Sequence, residues 1–257
     1  MPPTRTIRPS KYSPLSHMTV LRYLLPLLLA LPGFSAWAVE EQENVDPWEP
    51  MNRRIFAFNE TLDKYVLLPV AKGYRFVLPN PVERGVSNFI SNIYEFNSIF
   101  NSLLQGRPGN AFHSAGRFLV NTTVGLVGFF DVATRMELKR SPADFGQTLY
   151  VWGFEPGPYV MLPVFGPKTL RSSIGYFTDT YTSIPAFAVD REWAYLFWTV
   201  EAIDIRANLI KADDLISGDR YIFIRNAYLQ RRAYFLSGGK VVDSFSDLED
   251  EDEYEEF

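Results

Sequence analysis

Cysteine is absent from this chain of 257 residues, and histidine is almost absent. Without cysteine the chain forms no disulfide bond and carries no thiol chemistry. Of the two histidines, only His113 lies beyond the first 38 residues. A single histidine does not complete the histidine and cysteine clusters that bind zinc. A structural role for His113 within an aromatic-rich helix is therefore the favoured interpretation.

Recognisable catalytic motifs are missing as well. The sequence has no G-x-S-x-G turn of a serine hydrolase, no Walker loop, no dinucleotide fingerprint and no EF-hand loop. No spacing of acidic residues points to a catalytic pair of carboxylates. We therefore predict that the protein is not an enzyme and uses no cofactor or metal.

The most apolar run near the amino terminus, residues 23–31, is too short to span a bilayer. Four basic residues and no acid precede it, and Ala36-Trp37-Ala38 follows as a small-x-small cleavage site. We predict a signal peptide over residues 1–38, with Met18 as an alternative start, cleavage after Ala38 and export to the periplasm. The alternative is a segment that is retained as a membrane anchor.

Charge is distributed unevenly along the chain. The whole sequence has a formal net charge of −5, yet residues 243–257 alone contain nine acids and no base. We predict that this acidic tail is disordered and that residues 39–242 form the folded domain. A docking role for the tail on a basic partner is the alternative. The domain itself is close to neutral, which argues against nucleic acid as a partner.

Apolar and aromatic residues are abundant, at 47% and 16% of the chain. Apolar residues recur at helical spacing for about six turns between Val82 and Leu104, with Asn92 and Glu95 off that stripe. Such a stripe either packs into a core or lies along acyl chains. Pro69 is expected to stop or kink an earlier helix. We predict a mainly helical, single-domain fold.

The longest uncharged run of the predicted domain extends from Phe118 to Phe130. It is too short to cross a bilayer as a helix, so it is either buried or in contact with one leaflet or a lipid-facing wall. We select five of its residues as candidates for contact with a lipid channel or membrane. They are Phe118, Leu119, Leu126, Phe129 and Phe130.

Glycine and proline are dense between Asp144 and Arg171. Glycine tolerates positive φ and proline removes a backbone donor, so these residues break any long helix. The apolar residues between them favour a short extended hairpin near Tyr159 to Phe165. A final helix is expected from about Arg220 to Leu236. Its arginines either form a solvated face or contact lipid phosphates or an acidic partner.

Five blocks in a fixed order resemble the MlaA (VacJ) family of Gram-negative bacteria. They read DPWEPMNRRIFAFN, RFLVNTTVGLVGFFDVA, FGQTLYVWG, GPYVMLPVFGPKTLR and IRNAYLQRR. Together they extend from Asp46 to Arg232, nearly the whole predicted domain. Several ordered blocks are more specific than one short motif.

The resemblance implies a ring of amphipathic helices around an amphipathic channel, on the periplasmic side of the outer membrane. Its implied partners are phospholipids, a trimeric outer-membrane porin and the soluble periplasmic carrier MlaC. Phospholipid misplaced in the outer leaflet would pass through the channel to that carrier, which maintains lipid asymmetry. The family also implies a lipidated cysteine, and this sequence has none. We therefore expect an unlipidated protein.

Two groups of residues acquire expected roles from the resemblance. The first belongs to the family-motif turn, which we expect to shape or gate the channel, and comprises Phe145, Gly146, Gly157, Pro158 and Tyr159. The second consists of candidates for head-group or partner contact, and comprises Arg171, Arg225 and Arg231. Two other functions remain open: a soluble periplasmic carrier of one hydrophobic ligand, and a lipid hydrolase, which the missing nucleophile motif disfavours.

Overall fold

The computed structural model describes residues 45–239. The predicted signal peptide, residues 1–38, and the predicted acidic tail, residues 243–257, lie outside the described residues. Ten α-helices and a two-stranded antiparallel sheet make up the described part. This confirms the predicted mainly helical fold with a short hairpin. The helices are α1 Glu49–Leu62, α2 Leu68–Val77, α3 Asn80–Leu104, α4 Pro108–Thr123, α5 Val132–Arg135, α6 Phe145–Val151, α7 Leu170–Tyr181, α8 Ile184–Ala188, α9 Arg191–Leu209 and α10 Arg220–Leu236.

The chain between α1 and α2 stays helical through Pro69. A π-helical segment, Asp63–Leu67, joins the two helices, and Pro69 falls in the first turn of α2. Proline clashes with the carbonyl four residues earlier and donates no hydrogen bond. The wider π turn directly before it accommodates both effects. The expected stop is therefore replaced by a change of helical winding.

The hairpin pairs β1, Tyr159–Leu162, with β2, Gly166–Thr169. Helix α1 closes its free edge through the fully buried side chain of Asn52. The Asn52 amide donates to the Tyr159 carbonyl over 3.1 Å, and its Oδ1 accepts from the Met161 N–H over 2.9 Å. One side chain thus mimics a neighbouring strand. Tyr159 and Met161 then pack with Tyr221 of α10 in a small apolar cluster.

Helix α6 packs closely on α7. A Cβ placed on Gly175 of α7 would lie 2.3 Å from the backbone nitrogen of Gly146, so the two backbones are in direct contact there. Asp179 of α7 fixes the start of α6. Its Oδ2 accepts from the Phe145 N–H over 2.8 Å, and its Oδ1 accepts from Asn101 of α3 over 2.8 Å.

Lowering the pH from about 7 to 5 is expected to stabilise the wild-type protein relative to an Asp179→Asn variant. Burial raises the pKa of the Asp179 carboxyl to about 6, although hydrogen bonds from Phe145 and Asn101 oppose the shift. The folded state therefore takes up this proton at a higher pH than the unfolded state. The ionised Asp179 carboxylate destabilises the folded protein above about pH 6. This effect is relieved as the pH falls toward the pKa that the carboxyl has in the unfolded state. Urea unfolding of both proteins at several pH values checks this, and parallel curves would contradict it.

Candidate lipid-contacting surface and polar interior

The polar face of α3, rather than its apolar stripe, points into the protein. Asn92, Glu95 and Asn101 are buried, whereas Phe100 and Leu103 are about half exposed. Throughout residues 45–239, buried polar or charged side chains outnumber buried hydrophobic ones. Soluble domains normally show the opposite arrangement. The carboxyl-terminal half of the apolar stripe on α3 therefore does not pack into a core.

Large apolar side chains cover much of the exterior. Phe76 is 91% exposed and Phe112 is 78% exposed. Trp193 and Leu196 of α9 are exposed as well. Extensive exposed apolar surface marks a site of contact with a membrane or a partner. Within the described residues, no helix is both long enough and apolar enough to cross a bilayer.

A buried ionic cluster lies beneath this surface. The Arg117 side chain donates to Glu95 over 2.8 Å and forms an ion pair with Asp131 at 3.3 Å. It also donates to the Thr134 hydroxyl and to the Leu138 carbonyl. Burial alone would raise the pKa of Asp131, but hydrogen bonds from Thr134 and Asn121, together with the Arg117 charge, lower it below its usual value. The cluster joins α3, α4 and the segment after α4.

The loop between α4 and α5, residues 124–130, is held over this cluster by its backbone. The Gly128 N–H donates to the Asn121 carbonyl over 2.7 Å, and the Phe130 N–H donates to the Gly125 carbonyl over 2.8 Å. Gly128 lies against Asn92, where a Cβ would approach to 2.5 Å. These contacts hold the loop against α3.

Five candidate residues chosen from the sequence lie in or just before this loop. Leu119, Leu126 and Phe130 are exposed, at 61%, 65% and 45%. Phe118 and Phe129 are half-buried, and Phe129 packs on Gly85 of α3. The structure thus brings exposed and packed aromatic residues together at one place. Whether lipid touches them stays a prediction.

Leu126 and Val127 hold unfavourable backbone angles at the exposed tip. Their φ values are +52° and +60°, in the left-handed region that disfavours bulky residues. Such a conformation costs of order 1–2 kcal/mol per residue. Strain combined with an exposed apolar side chain is typical of a functional contact rather than of a stabilising one.

Val127→Asn is expected to stabilise the fold by about 1 kcal/mol while weakening binding to phospholipid vesicles. Asparagine adopts positive φ more readily than valine, and it removes apolar surface that is 56% exposed. Val124→Asn is the matched control, because Val124 is 67% exposed with an ordinary φ of −81°. It should weaken vesicle binding without stabilising the fold. Equal stability changes in the two variants would contradict the strain argument.

The family-motif turn surrounds the start of the hairpin. Gly157 has a φ of +64°, and a Cβ there would lie 3.0 Å from Leu170. The Pro158 carbonyl accepts from the Leu170 N–H over 3.1 Å. Tyr159 is fully buried in the apolar cluster with Tyr221. These contacts give the turn a packing role, and its influence on a channel stays a prediction.

The other two motif residues lie at the start of α6. Phe145 makes an edge contact with Trp152, and Gly146 packs against α7. They precede the hairpin in sequence. They are connected to it through α7, because Gly146 packs on α7 and β2 leads directly into that helix.

The three candidate arginines occupy different environments. Arg171 is buried, with an exposed fraction of 5%, whereas Arg231 is exposed on α10. Arg225 forms ion pairs with Asp46 at 3.2 Å and Glu49 at 3.5 Å, and so holds the amino-terminal segment against α10. The structure does not bring these arginines together as one anion site.

Sequence reasoning missed the cluster of Glu95, Arg117 and Asp131. One signal was available: Asn92, Glu95, Ser98 and Asn101 recur at intervals of three on α3, which marks a continuous polar stripe. The part of the chain that the structure describes contains no group of three or more histidine, cysteine or acidic residues able to hold a metal ion.

The family to which the chain belongs follows from comparison with known proteins. Residues 44–235 match the family described as "MlaA lipoprotein". The chain belongs to the MlaA family. The intermembrane phospholipid transport system lipoprotein MlaA of Escherichia coli (strain K12) is 37% identical over 219 residues, which cover 82% of this chain and 86% of that protein.

Two further relatives agree with this assignment. The protein of the same name from Haemophilus influenzae is 34% identical over 215 residues, covering 81% of this chain and 86% of its own. A solved structure described by the words "structural basis for maintenance of bacterial outer membrane lipid asymmetry" is 40% identical, with a TM-score of 0.67. It covers 74% of this chain and 98% of the solved one. MlaA relatives thus share both the sequence and the helical fold.

Proposed function

We propose that this protein transports phospholipids between the membranes of the bacterial envelope. It acts at the outer membrane, on the periplasmic side, and removes phospholipid misplaced in the outer leaflet. The names of the relatives support intermembrane phospholipid transport and lipid asymmetry. The removal step and its direction are our own extension of those names.

The observation that carries the proposal is the inverted distribution of side chains. Apolar side chains such as Phe76 and Phe112 face outward, and polar ones such as Asn92 and Asn101 face inward. An apolar exterior is stable in the acyl region of one leaflet. A polar interior offers hydrogen-bond partners to a lipid headgroup. This is the distribution that a ring of amphipathic helices around a channel requires.

Transport of this kind needs no covalent step. A phospholipid in the wrong leaflet already has a higher free energy than in its proper membrane, so it moves downhill through a polar passage. The protein has only to lower the barrier for the headgroup. This agrees with the absence of catalytic motifs in the sequence and with a family of transport lipoproteins.

Two protein partners complete the pathway that we propose. A trimeric porin holds the protein in the outer membrane, and the soluble carrier MlaC receives the lipid. The exposed Arg231 on α10 is our candidate for partner contact. Because the sequence has no cysteine for a lipid anchor, the apolar exterior and the porin contact would retain the protein in the membrane.

Complementation tests the function directly. We expect the protein to lower outer-leaflet phospholipid and restore detergent resistance in a Gram-negative strain that lacks its own MlaA. Labelling of surface lipid amines with an impermeant reagent measures the first effect. A strain that produces the folded protein at normal level but keeps its defect would refute the proposal.

Cell fractionation separates this function from that of a soluble carrier. We expect the untagged protein in the outer-membrane fraction, at the unmodified mass of a chain that begins at Val39. Full release by osmotic shock would favour the carrier instead.

A further inference from the structure

A partly open cavity of about 310 Å³ lies between the carboxyl-terminal half of α10 and the turn that follows α6. Leu229, Ala233 and Leu236 of α10 provide an apolar wall, and Arg171 and Arg232 provide positive charge. The volume is at the lower end of the range for small-molecule sites, so it suits a headgroup rather than a whole two-chain lipid.

Arg171 lacks a compensating partner in this cavity. Its Nη1 donates to the Phe154 carbonyl over 2.6 Å, and its guanidinium lies 5.1 Å from the Tyr150 ring centroid. Its Nε is buried and has no hydrogen-bond partner within residues 45–239, and no carboxylate of that range forms an ion pair with it. The charge of Glu155 acts on the guanidinium without forming an ion pair, and a buried cation that lacks a direct counter-ion is costly unless a ligand supplies one.

Arg232 differs from Arg171 in this respect. Its two terminal nitrogens donate to the two carboxylate oxygens of Asp144, over 2.5 and 2.8 Å. Because Asp144 offsets much of the Arg232 charge, Arg232 contributes only weakly to the positive potential of the cavity. Burial, and then Arg232, lower the pKa of Arg171, and the charge of Glu155 opposes this shift. The positive potential of the cavity thus comes mainly from Arg171.

We propose that this cavity binds the phosphate group of a phospholipid headgroup, with Arg171 as its donor and the apolar wall of α10 beside the glycerol and first methylenes. The proposal rests on the transport function above and adds a defined headgroup site to it. Guanidinium and phosphate match in shape and charge, and the pair is strongest where water is excluded.

Glu155 extends the proposal to the headgroup class. Its side chain is exposed and also lines the cavity, so its carboxylate stays hydrated while Arg171 is buried. With the phosphate at Arg171, we infer that the remainder of the headgroup lies beside Glu155, which lines the same cavity. An ammonium group there gains a counter-ion, whereas a glycerol group does not. The site therefore favours a phosphoethanolamine headgroup over a phosphoglycerol one.

Direct binding to the full-length protein in amphipol tests the site. The probes are dihexanoyl-phosphatidylethanolamine, dihexanoyl-phosphatidylglycerol and inorganic phosphate, titrated by calorimetry. We expect the ethanolamine lipid to bind best and inorganic phosphate to bind weakly, because it makes no contact with the apolar wall. Inorganic phosphate that binds as well as either lipid would identify a free-phosphate site and overturn the proposal.

Three variants and one control locate the binding. Arg171→Gln is expected to weaken binding of both lipids about tenfold or more, the usual effect of losing a charge-assisted hydrogen bond. Ala233→Trp should do the same by filling the cavity from an exposed helix position, and it removes no hydrogen bond. Glu155→Gln should weaken only the ethanolamine lipid. The control Arg54→Gln removes an equal charge from an exposed position of α1 outside the cavity, and its affinities should stay within about twofold of the wild-type values.

The outcome separates this inference from the transport function. Wild-type protein that restores lipid asymmetry in cells but binds neither short-chain lipid would refute the headgroup site and leave transport standing. Binding that Arg171→Gln and Ala233→Trp abolish, in a protein that fails to complement, would establish the site and remove the transport proposal. Binding unchanged by Ala233→Trp would place the ligand elsewhere and overturn the inference.

Discussion

Gly175→Ala is expected to destabilise the protein by roughly 2–3 kcal/mol, although alanine normally favours a helix. The added Cβ would lie 2.3 Å from the nitrogen and 2.6 Å from the Cα of Gly146. Both atoms belong to the backbone of α6, so no side chain can turn away to relieve the contact. The helices must separate, and overpacking of this kind costs on the order of 1–3 kcal/mol.

The loss should be larger than the methyl group suggests because α6 and α7 share polar contacts. Separation would weaken the hydrogen bond from the Phe145 N–H to Asp179, which fixes the first turn of α6. It would also disturb Arg232, whose Nη2 lies near Gly146 and pairs with Asp144. Urea unfolding followed by far-UV circular dichroism measures the change.

Gly116→Ala is the matched control. Gly116 also lies inside a helix, α4, but a Cβ there meets no atom within 4 Å. Alanine should therefore stabilise this variant by up to about 1 kcal/mol, since glycine is the poorer helix former. Opposite signs for the two substitutions are the expected result. Similar values would show that the close approach of α6 and α7 is not needed for stability.

The sequence was sufficient to predict α10 and the hairpin. The break at Ser217-Gly218-Asp219 and the end at Gly238-Gly239 bound a predicted helix from about Arg220 to Leu236, which the structure confirms, and Asp219 caps its first turn through Tyr221 and Ile222. The glycines and prolines around Tyr159 and Phe165 predict a hairpin, and it is present. These elements depend on local rules, so local sequence defines them.

The direction in which each helix faces could not be predicted in the same way. Periodicity divides α3 into an apolar and a polar face but does not say which one meets solvent. That depends on whether the solvent is water or lipid, and only long-range pairing resolves it. The contact of Arg206 with Asp63, 143 positions apart, is an example of such pairing. Local periodicity also gives no reason to expect a π turn before Pro69.

Arg117→Met is expected to destabilise the protein by about 3–5 kcal/mol, the usual cost of removing one partner of a buried ion pair, since only Arg140 at 3.7 Å then remains to pair with Glu95. The Arg117 side chain is 3% exposed and that of Glu95 is 1% exposed. Removing the guanidinium also leaves the Thr134 hydroxyl and the Leu138 carbonyl without this donor. The free energy of unfolding in urea measures the loss.

Arg53→Met provides the exposed comparison. Arg53 pairs with Glu49 at 2.7 Å and Asp219 at 2.9 Å, in geometry as good as that of Arg117, but its side chain is 39% exposed. Water replaces the lost partner there, so Arg53→Met should destabilise the protein far less than Arg117→Met. A similar loss in both variants would show that burial does not determine the strength of the Arg117 cluster.

The double variant Glu95→Leu with Arg117→Met decides what the cluster contributes. If Arg117→Met loses stability because the charged Glu95 is left buried, then replacing Glu95 as well should recover most of the lost stability. Asp131 keeps its hydrogen bonds from Thr134 and Asn121 in that background. We expect the double variant to fold but to transport poorly, because the cluster belongs to the polar interior that we propose offers hydrogen bonds to the headgroup. Recovery of transport along with stability would confine the cluster to a structural role.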